Sequence, residues 1–298
     1  MDTKILLENG TNELEILEFK LGNNSYGINV AKIREIIPFQ PVTPVPNSHP
    51  SIEGIFMPRE TMITAVSLRN ALQLGDSEPG GLFIITNFNK LDVAFHVDSV
   101  MGIHRVSWTE IIKPDTTINN DQDGISTGIV KFDERLVIIL DFEKIVTDIS
   151  PDTGLKMSEV DKYADRGRSS SPIVIAEDSH LLNKLIADAL TTAGYVNLIR
   201  TENGQEAWDY IHKAEQDGDV ERKVSLVITD IEMPLMDGHR LTKLIKSNDN
   251  LKHIPVIIFS SLVNDEMRVK GESLGADAQL SKPEIGNLVG EIDKLLGR

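Results

Sequence analysis

The spacing of apolar residues changes character near residue 150. From Leu14 to about Ile149, apolar and polar positions alternate in short runs broken by Gly, Pro, Asn and Asp, the rhythm of half-buried strands. LEILEFKLG (14–22) and YGINVAKIREII (26–37) predict a hairpin turning at Gly22 and Asn23, then a strand passing into a short helical turn. The proline-rich PFQPVTPVPNSHP (38–50) forbids regular structure. Two further pairs echo the opening: GLFIITNF with LDVAFHVDSVMGI, and GIVKF with RLVIILDFEKI. Many short strands with turns between them predict a mainly β half built as small barrels.

From Ser171 onward the rhythm is different. Apolar runs without clean alternation, in SPIVIAED, VSLVITD and IPVIIFSS, are followed by stretches of helical spacing. Strands of that kind are buried on both faces of a parallel sheet. Leu181, Leu182, Leu185, Ile186, Ala189 and Leu190 form one amphipathic stripe. NGQEAWDYIHKAEQDGD, MDGHRLTKLIKSND, DEMRVKGESLG and EIGNLVGEIDKLLGR supply further helices. The βαβα alternation predicts an α/β doubly wound fold, a five-stranded parallel sheet with helices on both faces.

The ends of those runs carry the chemistry. VSLVITDIEMPLMDG (224–238) stops on Asp230, SPIVIAED on Glu177 and Asp178, IPVIIFSS on Ser260 and Ser261, and ADAQLSKP on Lys282 and Pro283. In a doubly wound sheet, ligands bind in the crevice outside the carboxyl ends of the strands. A single Asp there is commonly a cap or turn residue, but four polar strand ends converge on one crevice. Carboxylates gathered in a cleft invite a hard divalent cation such as Mg2+. With Lys282 and a Ser260 hydroxyl beside them, the set suits phosphoryl transfer to the Asp230 carboxylate.

On these residues, 171–298 resembles the response-regulator receiver domain. The resemblance implies that Asp230 is the phosphoacceptor, Ser260 the switch hydroxyl and Lys282 the phosphate partner, with a cis Lys282–Pro283 peptide. It implies metal ligation by Asp178, Asp230 and the Glu232 carbonyl, with Glu177 acting through a water. Gln279 stands where many receivers carry Tyr or Phe, and Glu232 stands two residues after Asp230.

Composition bounds the rest. The 298 residues are enough for two domains. A formal charge of −16 disfavours nucleic acid and anionic lipid as direct partners, and the absence of cysteine removes disulfides and thiolate metal sites. No apolar stretch of about 18 residues occurs, so a cytoplasmic protein without direct membrane insertion is expected. The first half offers no catalytic constellation: His49, His96 and His104 lack metal-ligand spacing, and Trp108 reads as core.

FKLGNNSYGINV, KIREII, PVTPVPNSHPSIEGIF, LDVAFHVDSVMGIHRV and LVIILDFEKI occur in an order similar to the CheW adaptor family. That resemblance implies paired small five-stranded β barrels that couple chemoreceptor signalling tips to the histidine kinase CheA. It matches Arg59 to an Arg that often precedes Gly, here Glu60, and marks Arg59 as a possible interface residue. The whole order resembles the CheV family of chemotaxis coupling proteins: an adaptor over 1–149 with its core from about 14, a linker over 150–170 with a short helix at Leu155 to Tyr163, and a receiver over 171–298. The implied function is two-component signalling in chemotaxis, with coupling modulated by phosphorylation at Asp230 during adaptation. The protein is then no metabolic enzyme, although an aspartyl phosphate can be lost by self-catalysed hydrolysis. One alternative is a phosphate sink on a constitutive scaffold. A remote one is a phosphatase of the haloacid dehalogenase type, which the order of the acidic residues and Glu232 disfavour.

Overall fold

A computed structural model describes residues 12–75, 80–88, 91–112, 124–132, 135–151, 157–164, 166–261 and 265–298. Contacts divide the chain into two compact units, Leu14–Thr153, and Gly154–Arg298 together with Met1–Glu13.

In the first unit β1 (Glu13–Leu21) and β2 (Asn24–Asn29) form the expected hairpin, with Gly22 at φ +61° in the turn. A three-residue 3-10 turn, Val30–Lys32, leads into β3 (Ile33–Pro38), so most of KIREII is extended rather than helical. Its β-branched residues pair with β6, and that tertiary pairing decides the conformation. There follow β4 (Ile52–Phe56), β5 (Ile63–Ser67), α1 (Leu68–Ala71), β6 (Leu82–Phe88), β7 (Leu91–Val97), β8 (Ser99–Ser107), β9 (Ser126–Phe132), β10 (Arg135–Leu140) and α2 (Phe142–Ile149). The strands make two five-stranded sheets, in the orders β8-β1-β2-β10-β9 and β3-β6-β7-β5-β4.

Period-two alternation sorts the side chains between cores. Leu14 and Ile16 point into one sheet's own core with Val106, Trp108 and Ile139, while Leu17, Phe19 and Leu21 join a layer shared with Val66, Ile84 and Phe95 of the other sheet. Phe56, Ile63, Phe83 and Ala94 fill the second sheet's own core. Helix α2, capped by Asp141 accepting from Lys144 N at 2.9 Å, adds Phe142 and Ile145 to the shared layer. Trp108 is core, as its amphipathic size predicts.

The second unit alternates strand and helix, with one extra short helix before β13: β11 (Ile173–Ala176), α3 (His180–Thr192), β12 (Leu198–Thr201), α4 (Gly204–Gln216), the short α5 (Val220–Lys223), β13 (Leu226–Thr229), α6 (Gly238–Ser247), β14 (Val256–Ser260), α7 (Asp265–Ser273), β15 (Ala278–Ser281) and α8 (Ile285–Leu296). All strand pairs are parallel, in the order β12-β11-β13-β14-β15. Ile173, Ile175, Leu226, Ile228, Ile257 and Phe259 pack toward α3 and α8, whereas Val174, Ala176, Val227 and Val256 pack toward α4 and α6. Burial on both faces is why these runs show no alternation. In α3 the buried stripe is Asn183, Ile186, Ala187, Ala189 and Leu190, and Leu181 is exposed, one position outside the expected face.

Part of the join between the halves packs on the second unit: in the 3-10 helix Met157–Tyr163, Val160 is 1% exposed within that unit's core. The Tyr163 hydroxyl donates to the Gly286 carbonyl at 3.1 Å. Arg166 forms a two-pronged ion pair with Asp293 and lies over the rings of Tyr163 and Tyr195. Leu155 lies outside the described residues.

Candidate phosphoacceptor site

The sheet order places the crevice. The chain runs from β11 to β12 on one side, then crosses back to β13 on the other, and β11 and β13 are hydrogen-bonded neighbours. Ligands bind where the order reverses in this way. The register pairs Ala176 with Thr229, so both strands end level and deliver Glu177, Asp178 and Asp230 side by side. Ser260 ends β14, paired with Ser281, and the Lys282 amide donates to the Ser260 carbonyl at 3.2 Å.

Four of the expected residues meet there, nearly sealed from solvent: Glu177 is 2% exposed, Asp230 6%, Ser260 1% and Lys282 7%. Lys282 Nζ lies 2.7 Å from Asp230 Oδ2 and 3.0 Å from Glu177 Oε2. Asp230 Oδ1 accepts from the Ile231 amide at 2.7 Å, and Glu177 Oε1 from the Ser179 amide at 3.2 Å. Burial, reinforced by the neighbouring Asp230 and Asp178 carboxylates and opposed by Lys282, pushes the Glu177 carboxyl well above its ordinary range. Glu232 lies in the turn two residues after Asp230 and is half-buried.

Glu177, Asp178 and Asp230 each bring a carboxylate oxygen within 4.8 Å of the others. Glu177 Oε2 is buried with the Lys282 ammonium 3.0 Å away. Three hard oxygen donors so placed fit a cation of the Mg2+ type, which takes carboxylates and keeps waters.

Two glycines shape the site. A Cβ on Gly238 would fall 1.8 Å from the Asp230 carbonyl oxygen, so only glycine lets α6 start against Asp230. A Cβ on Gly204 would meet the Met236 carbonyl at 2.5 Å, where α4 begins. Asp237 caps α6 through the Arg240 amide at 2.6 Å. His239 behind it is buried with Nε2 unpartnered, and burial, with Lys270 nearby, lowers its pKa to about 3. Gly238 was legible as turn chemistry after Pro234, but nothing in the sequence marked His239 as interior.

One expectation is corrected. The Lys282–Pro283 peptide is trans, since no described bond is cis; the intrinsic trans preference of an X–Pro bond, about 0.5–1 kcal/mol, is kept here. Arg59 belongs to the other unit, where it is 72% exposed and paired with Glu35 at 2.8 Å. The unit's histidines are structural: His96 is held by Glu53 and the Gly80 carbonyl, and His104 by Glu18.

Comparison with known proteins bears on both units. Residues 15–150 match the CheW-like domain family and residues 173–293 the response regulator receiver domain family. Chemotaxis protein CheV2 of Helicobacter pylori is 31% identical over 297 residues, covering 92% of this chain and 92% of its own length. The chain belongs to the CheV family. Chemotaxis protein CheV3 of the same organism is 26% identical over 96% of both chains. Chemotaxis protein CheW of Thermotoga maritima is 31% identical over 50% of this chain and 98% of its own length. CheV architecture, a CheW-like adaptor domain followed by a receiver, accounts for the two mainly β sheets and the doubly wound parallel sheet. Among the described residues no helix is long and apolar enough to cross a membrane.

Proposed function

We propose that the CheW-like unit couples chemoreceptor signalling tips to a CheA-type histidine kinase, and that phosphorylation of Asp230 by that kinase adjusts the coupling. The observation that supports this reading is the Glu177, Asp178, Asp230 and Lys282 cluster at the switch point of a receiver fold, carried on the same chain as a CheW-like domain.

Asp230 acts as nucleophile: a carboxylate oxygen forms a bond to phosphorus as the donor's phosphorus–nitrogen bond breaks. Lys282 holds the attacking carboxylate now and afterwards balances the added phosphoryl charge. The Ser260 hydroxyl donates to a phosphoryl oxygen. Asp178, Asp230 and the Glu232 carbonyl would hold Mg2+, with Glu177 acting through a water, and the ion would supply charge neutralisation at the transferring group. Hydrolysis of the aspartyl phosphate at the same site resets the signal. The two states differ in charge and loop arrangement, so a partner that contacts them differently reads the change. Arg59, exposed on the adaptor unit, contributes to the partner surface.

The test is binding of receptor signalling tips and kinase to the full chain with Mg2+, before and after loading with beryllofluoride, using Asp230→Asn as control. A several-fold shift absent from the control supports the reading. Stoichiometric loading without a shift makes the receiver a phosphate sink on a constitutive scaffold.

A further inference from the structure

Helix α7 is lightly anchored. Met267 is a buried apolar residue on it, while Val269 is 60% exposed and Arg268 and Glu272 face solvent. Its chain start lies a few residues beyond Ser260, and its flank lies against β15.

At that flank the Gln279 amide rests on bare backbone. Gln279 Nε2 donates to the Arg268 carbonyl at 2.7 Å. A Cβ built on Gly271 would meet Gln279 Oε1 at 2.5 Å, Cδ at 2.6 Å and Nε2 at 2.8 Å. The amide therefore fills the notch that the glycine leaves in α7. A mid-helix glycine costs about 0.5–1 kcal/mol against alanine, so the notch is retained at the expense of helix stability.

The ladder joins this contact to the phosphoacceptor site. Gln279 pairs with Ile258, and two residues further Ser281 pairs with Ser260. Lys282 follows, bound to Asp230 and Glu177. Helix α7 is thus tied to the site twice, by the chain leaving Ser260 and by Gln279 on the strand that carries Lys282.

We infer that the Gln279 amide, seated on Gly271, is a latch that holds α7 in its unphosphorylated position and that phosphorylation of Asp230 works against it. The inference rests on the proposed phosphorylation of Asp230. A phosphoryl group draws the Ser260 hydroxyl and Lys282 Nζ toward itself, and the chain leaving Ser260 pulls the first turns of α7 away from the Arg268–Gln279 contact. Because coupling is reciprocal, an interaction made only in the unphosphorylated state weakens binding of the phosphoryl group. Gln279 is a positioning residue in this scheme, since it touches no reacting atom.

The experiment measures the affinity of the full chain for beryllofluoride with Mg2+, alongside stability to denaturant. Gln279→Ala removes the donor. Gly271→Ala evicts the amide from the helix side while improving helix propensity. Each is expected to tighten beryllofluoride binding, on the order of 2- to 10-fold for one net hydrogen bond. The double variant should gain no more than either single one, because both remove the same contact. Unchanged affinity in both single variants, with normal binding by the unsubstituted chain, overturns the latch alone. Failure of the unsubstituted chain to bind beryllofluoride removes the phosphorylation reading and the latch with it.

Discussion

Lys282 Nζ sits 2.7 Å from Asp230 Oδ2, a buried lysine cation held against a cluster of three carboxylates. The same ammonium reaches Glu177 Oε2 at 3.0 Å. In this state Lys282 competes with any divalent cation for the carboxylate charge. Lys282→Ala is therefore expected to bind Mg2+ more tightly, by roughly 10-fold or about 1.4 kcal/mol. It should at the same time lose the adaptor's response to beryllofluoride. Titration calorimetry on the full chain checks the first part, and unchanged or weaker Mg2+ binding would remove the competition argument.

His96 supplies the pH dependence. Burial opposes its charge, but the Glu53 carboxylate at Nδ1, the Gly80 carbonyl at Nε2 and the nearby Asp98 outweigh that and raise its pKa above the ordinary value of 6.5. A neutral imidazole has one N–H and cannot donate to both acceptors. The folded state therefore favours the protonated form. Its contribution to stability is complete below the ordinary pKa and declines as pH rises through the raised one. Denaturant unfolding across that window should show the adaptor transition weakening with pH in the unsubstituted chain and staying flat in His96→Gln.

Val160 tests where the receiver begins. It is 1% exposed in the core beside α3 and α8, although it lies ten or more residues before β11. Val160→Ala in the full chain should destabilise the receiver transition by about 1–2 kcal/mol, the worth of two buried methyl groups. The adaptor transition should not move. An unaffected receiver transition would make the segment a dispensable tether.

Arg59 separates stability from recognition. An exposed ion pair such as Arg59–Glu35 contributes about 0–1 kcal/mol. Arg59→Ala should leave unfolding nearly unchanged while weakening capture of receptor tips or kinase by about 10-fold, the scale of an interface anchor. Equal capture by both forms would take Arg59 out of the partner surface.

Much of this protein was legible in the residue order because its information is local. The change from period-two alternation to unbroken apolar runs marked two fold classes, since one-sided and two-sided burial impose different patterns on a strand. Asp230, Glu177, Asp178, Ser260 and Lys282 announced themselves by ending such runs. What only the tertiary structure decided depends on neighbours distant in sequence. Register between β11 and β13 sets which carboxylates lie side by side, and burial at the strand ends, reinforced by those neighbours, raises the Glu177 carboxyl. Pairing with β6 makes most of KIREII a strand, and packing against α3 and α8 draws Val160 into the receiver core. The Gln279 amide found its seat because Gly271, eight residues before it, offers an open helix backbone across the α7–β15 flank. A residue's own chemistry is written in the chain, whereas desolvation and the choice of partner arise only when separate segments are brought together.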